Sequence, residues 1–169
     1  TAGWRQISIP WTDFTRATDF QPGGAPDDGF TLTEVYSWAI VLPNGADTVY
    51  VDDVVVNPAA PSVIDDFENG LPFGESDPNG ELLGFYSFQG DGSVAIDTGS
   101  TPPAPVLPAV GEPNNVMQMD VDVASFAGYI HAFENAAVDT WVTQDWSTSE
   151  GIRFWMNVSN SGTQMFIDI

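Results

Sequence analysis

Apolar and polar residues alternate along this chain in short runs, and the 3.6-residue period of a helix is nearly absent. Gln6-Ile7-Ser8-Ile9 alternates and stops at Pro10. Trp11 to Phe20 reads as a loop, and Gln21 to Gly29 as a turn-rich loop. Glu34 to Leu42 is rich in strand formers. The turn Pro43-Asn44-Gly45-Ala46-Asp47 then returns the chain into Thr48–Val56, which predicts a hairpin over Glu34–Val56. Strands follow at Val63–Glu68, Phe85–Gln89, Ser93–Asp97, Asn115–Val123, Tyr129–Phe133, Ile152–Val158 and Thr163–Ile169. Glycine-rich Asn69–Gly84 and the Thr98–Pro113 segment, with its five prolines, read as loops. Short strands punctuated this regularly predict an all-β sandwich.

Two of these strands carry acids and lie on either side of a break. Thr48–Val56 contains Asp52-Asp53, and Val63–Glu68 contains Asp65-Asp66 and Glu68. Between them lies Asn57-Pro58-Ala59-Ala60-Pro61-Ser62, whose prolines interrupt both ladder and helix. The expected organisation is the C-terminal half of one sandwich module over 1–57, a linker over 58–62, and the N-terminal half of the next module over 63–169.

Charge narrows the partners. Asp and Glu number 24 against three arginines and no lysine, for a net charge of −21. Such a chain repels nucleic acid and anionic membranes and attracts hard cations. Cysteine is absent, which excludes disulfides and thiolate metal sites. No run of apolar residues is long enough to span a membrane.

Several stretches together resemble the family 11 carbohydrate-binding modules, which are extracellular jelly-roll β-sandwiches of galactose-binding-like form. The front half of such modules is similar to Asp65-Asp66-Phe67-Glu68, to Trp146-Ser147 and to Gly151-Ile152-Arg153-Phe154-Trp155. Their back half is similar to Trp4, Ile9-Pro10, Phe14 and Asp52-Asp53. The resemblance runs in permuted order, back half first. It implies a non-catalytic, extracellular or cell-surface module, bacterial in type, that binds a polysaccharide or cell-surface glycan. The alternative is a structural repeat of a fibre, sheath or adhesin built by contacts between copies. The permuted order predicts strand complementation, preferably between neighbouring copies, with Gln6–Pro10 and Thr163–Ile169 near the junction.

The resemblance further implies a structural calcium near the first and last strands, where Asp53, Asp66 and Glu68 are the candidate ligands. Crowded carboxylates repel unless a divalent ion neutralises them. Glu75-Ser76-Asp77-Pro78-Asn79-Gly80 has oxygen donors at alternate positions but lacks the distal glutamate of a calcium loop, so a plain turn is the better reading. Sugars stack on aromatic rings and take hydrogen bonds from planar polar groups. Strand parity pairs Tyr129 with His131, Arg153 with Trp155, and Tyr36 with Trp38, giving the candidate ligand-binding residues. The plainer reading is that these aromatics pack in a core. No Ser-His-Asp spacing, phosphate loop or histidine-rich metal motif occurs, and no glycosidase pair stands out among the acids, so the chain does not read as an enzyme. Asn157-Val158-Ser159 matches a glycosylation sequon.

Overall fold

A computed structural model describes residues 3–17, 29–57, 62–71, 73–76, 80, 82–98, 115–160 and 162–169. The strands are β1 (Arg5–Pro10), β2 (Ser37–Leu42), β3 (Gly45–Val56), β4 (Ser62–Asp65), β5 (Phe73–Ser76), β6 (Leu82–Gln89), β7 (Ser93–Thr98), β8 (Met117–Val123), β9 (Ala127–Ala132), β10 (Gly151–Val158) and β11 (Phe166–Asp168). They form two antiparallel sheets. One has six strands in the order β1-β10-β3-β8-β7, with β4 also paired to β3. The other has five, in the order β11-β2-β9-β6-β5. The expected all-β sandwich is what forms.

Alternation explains the layering. On β8, Met117, Met119 and Val121 turn inward while Asp120 and Asp122 stay exposed. On β10, Ile152 and Phe154 are buried and Arg153 and Trp155 are half-buried on the other side. Trp38, Ile40, Leu42, Val49, Val51 and Tyr129 complete the middle of the core. Burying each such side chain contributes about 1.5–3 kcal/mol. One end is closed by aromatics. After β1 a single 3-10 turn, Trp11–Asp13, drops Trp11 onto Trp146, with ring centroids 5.7 Å apart and planes at 10°. The Trp11 indole N–H donates to the Ser149 carbonyl at 3.0 Å.

The hairpin expected over Glu34–Val56 does not form. β2 and β3 lie in different sheets, so Pro43-Asn44 is an arch between layers. Asp47 fixes this arch. Its buried carboxylate accepts from the Ser159 and Asn160 amides at 3.0 and 3.1 Å and from the Thr163 hydroxyl. Those donors belong to the β10–β11 connection, itself an arch between sheets. Two-residue alternation tells which side of a strand is apolar, and both layers present the same apolar side to the core.

The two segments expected near a junction between copies both find partners within the chain. Gln6–Pro10 lies within β1 and pairs with β10, from Gln6 opposite Trp155 to Pro10 opposite Gly151. β11 pairs with β2. The two halves therefore interleave in one chain, paired with each other in the permuted order. β4 turns back antiparallel on β3, with Ser62 opposite Val56. The linker residues 58–61, the Thr98–Pro113 loop from residue 99, the turn-rich loop 21–28 and residues 77–79 of the weaker calcium candidate lie outside the described residues.

Candidate functional site

The outer face of the six-stranded sheet gathers aromatic and planar polar side chains. Strand register sets it in rows. Gln6, Trp155 and Asp52 stand opposite one another across β1, β10 and β3. The next row is Asn157, Tyr50, Gln118 and Asp97. Ser8, Arg153 and Val55 lie on the other side of Trp155. Trp4 extends the aromatic strip, its ring centroid 6.4 Å from that of Tyr50. Polar groups at the β8 end are already oriented. Thr48 Oγ1 donates to Asp120 Oδ1 at 2.6 Å, and Gln118 Nε2 donates to Asp120 Oδ2 at 2.6 Å. Such a face offers ring surfaces for stacking and fixed donors and acceptors for hydroxyls.

Of the six ligand-binding candidates, only Arg153 and Trp155 share this face. Tyr129 and Trp38 are both 0% exposed and meet edge to face in the core, with centroids 5.3 Å apart. Tyr36, 47% exposed, sits ahead of β2 and leans on Trp141, with centroids 5.6 Å apart. Trp4, Gln6, Tyr50 and Gln118 were missed, although Tyr50 alternates with Val49 and Val51 in a strand already recognised. Asn157 of the sequon is 7% exposed near the end of β10, a poor acceptor for a glycan.

His131 turns inward with Tyr129, as parity required, but into a polar network. Its Nδ1 lies 2.9 Å from both oxygens of Asp65, and its Nε2 lies 3.0 Å from Glu134 Oε2. Trp38 Nε1 donates to Asp65 Oδ2 at 2.7 Å. Asp65 thus ties β4 of one sheet to β2 and β9 of the other. Phe85 stacks on the imidazole at 3.9 Å and Phe133 meets it edge-on at 5.0 Å. Burial opposes the charged ring, but hydrogen bonds to Asp65 and Glu134, with their charges, push its pKa up to about 9. The network borders a pocket of about 290 Å³ lined also by Val63, Asp66, Phe67 and Asn69.

The three metal candidates lie in one neighbourhood. Asp53 takes φ 51° where β3 bulges against β10, and Phe67 takes φ 58°. Burial raises the Asp53 pKa, as do the charges of Asp66 and Glu68, while Arg153 lowers it. The donors are the hard oxygens calcium prefers. They do not close on one point: among the described residues no three acids or imidazoles converge to hold a metal ion. Glu68 instead accepts from the Asn115 amide at 2.9 Å and its Nδ2 at 3.3 Å. Asp66 accepts from the Glu68 amide at 3.1 Å.

No curated protein and no solved structure matches the chain. A family model described as a carbohydrate binding domain (family 11) matches residues 1–56 of the 169. The match spans β1, β2 and β3, two of which carry Gln6 and Tyr50 to the aromatic face. Two antiparallel sheets and this match together describe a β-sandwich resembling the carbohydrate-binding modules.

Proposed function

We propose that this protein is a non-catalytic, extracellular module that holds a polysaccharide on the outer face of its six-stranded sheet. The observation that carries this reading is the joint presentation of Trp155, Tyr50 and Trp4 with Arg153, Gln6 and Gln118 on one sheet surface. The sugar rings lie on the aromatic strip, and the planar polar groups take the hydroxyls. Calcium at Asp53, Asp66 and Glu68 belongs to the same reading, since the charges of Asp66 and Glu68 already bear on Asp53 and a divalent ion drawing the three together would neutralise them.

Affinity electrophoresis through neutral polysaccharides tests the site. Trp155→Ala should weaken retention at least ~10-fold, the effect of losing a stacking contact of about 1.5 kcal/mol. Its circular dichroism should stay that of the wild type. Tyr86→Ala, on the opposite sheet, should leave retention unchanged. The reverse outcome would move the site to the five-stranded sheet, and wild-type protein unretarded in every gel would remove it.

A second reading has one observation of its own. Phe166, Val41 and Phe88 form an apolar row across β11, β2 and β6, and Phe126 adjoins Phe88 at 6.4 Å. Phe166 is 56% exposed. In an array or fibre of copies this row would be covered. Sedimentation of wild type beside Phe166→Ser decides it, because a wild type that stays monomeric at high concentration and high salt leaves the row without a partner of its own kind.

A further inference from the structure

His131 is the one histidine of the chain, and its two ring nitrogens each face a carboxylate. A protonated imidazole donates from both nitrogens, and a neutral one from a single nitrogen. The two carboxylates differ in how they are held. Asp65 is buried, on β4, and also accepts from Trp38 at 2.7 Å. Glu134 begins a turn after β9. That turn is closed by the Asn135 amide on the Thr140 carbonyl at 3.0 Å and the Val138 amide on the Asn135 carbonyl at 2.9 Å. Within it Val138 has φ 55°. A β-branched residue is strained in that left-handed region. The turn is therefore held in a costly shape, and the His131–Glu134 contact is one of its fastenings.

We propose that His131 is a proton-operated latch, whose charged ring clamps the Glu134–Trp141 turn against the sandwich and whose neutral ring releases it, opening the pocket beside β4. On losing its proton to solvent, the ring keeps its N–H toward Asp65, which is the better anchored and less hydrated acceptor. The lone pair of Nε2 then faces the Glu134 carboxylate, and the two repel in a poorly hydrated corner. Glu134 swings outward, and the turn relaxes at Val138.

The groups facing the ring are few. β4 supplies Asp65, and the turn supplies Glu134; Asp66 borders the same pocket. β9 also carries Tyr129, buried and close enough to feel Asp65. Burial keeps its pKa well above 10, so it holds its proton while His131 loses one. β2 and β6 present Trp38 and Phe85, which do not titrate.

The test is a nitrogen-15 NMR titration of the whole chain, in which a single histidine gives unambiguous ring signals. The expected midpoint is near pH 9. Backbone amide shifts of 135–141 should move with the same midpoint, and those of β8 should not. Glu134→Gln keeps the size, and its amide can donate to a neutral Nε2. In that variant the midpoint should fall by at least ~1 pH unit, as loss of one charged partner implies, and the turn amides should stop moving. A midpoint near the ordinary histidine value, or a titrating ring beside a stationary turn, overturns the latch.

Discussion

At the scale of single residues, the core's polar knot outweighs any surface contact in consequence. His131 gains its partners only on folding, so its folded pKa of about 9 lies above the ordinary 6.5. A group raised in this way stabilises fully below its unfolded pKa, and the contribution is lost as pH rises through the folded value. Thermal melts should therefore show Tm falling between about pH 7 and pH 10, with His131→Gln giving a flatter profile over that range. A wild-type Tm that is level across that window would contradict the clamp between Asp65 and Glu134. Sequence parity placed His131 beside Tyr129 without saying which way the pair turned. In the Asp-Asp-Phe-Glu run Asp66 and Glu68 are the candidate calcium ligands, while Asp65 points inward. Its partners come from positions 38 and 131, too distant along the chain for any local pattern to join them.

Among the elements, most strands were legible, but β5, inside the glycine-rich stretch that reads as a loop, was not, and neither was strand partnership. β1 and β8 follow the alternation of their residues closely, as β3 does up to Val51. β2 and β3 read as a hairpin because Asn44-Gly45 is a favoured turn pair, but the same residues serve an arch between layers. One part of the aromatic face was legible, Arg153 with Trp155 on a single strand, while Tyr50 on β3 was not. Their union required the register of β3 against β10. Close packing between strands also sets a sharp constraint at Gly128 on β9. A side chain there would run into the Ile40 carbonyl of β2 and the Phe88 ring of β6. Gly128→Ala should cost about 1–3 kcal/mol, the usual range for overpacking, read as a lower urea midpoint at unchanged slope. An alanine variant as stable as the wild type would mean that the Ile40 backbone as well as the Phe88 ring gives way at little cost.

For the whole molecule, the balance of 24 acids against three arginines is the dominant feature. Self-repulsion on this scale lowers stability at low ionic strength and is relieved by counterions. Calcium should do more than monovalent salt, if Asp53, Asp66 and Glu68 take it up. Adding a chelator in excess, at constant ionic strength, should then lower Tm, because an ion bound only to the folded state stabilises it by mass action. Alanine at Asp66 should abolish the difference. Superimposable melts with and without chelator would leave the acids as a solvated surface.

The interleaving of the two halves also sets a timetable for synthesis. β3 is flanked by β8 and β10, so its neighbours are complete only at residues 123 and 158. At roughly 5–20 residues per second, the valine-rich β3 waits on the order of 5–20 s for its second neighbour. Through that interval the edge of β3 that β10 will cover stays open, an apolar edge of the kind that joins other nascent chains. The acids on and around it, Asp47, Asp52, Asp53, Asp65 and Asp66, then act as gatekeepers. Carboxylates that the finished fold partly buries, Asp47, Asp52 and Asp65 among them, keep the unfinished chain apart from its neighbours.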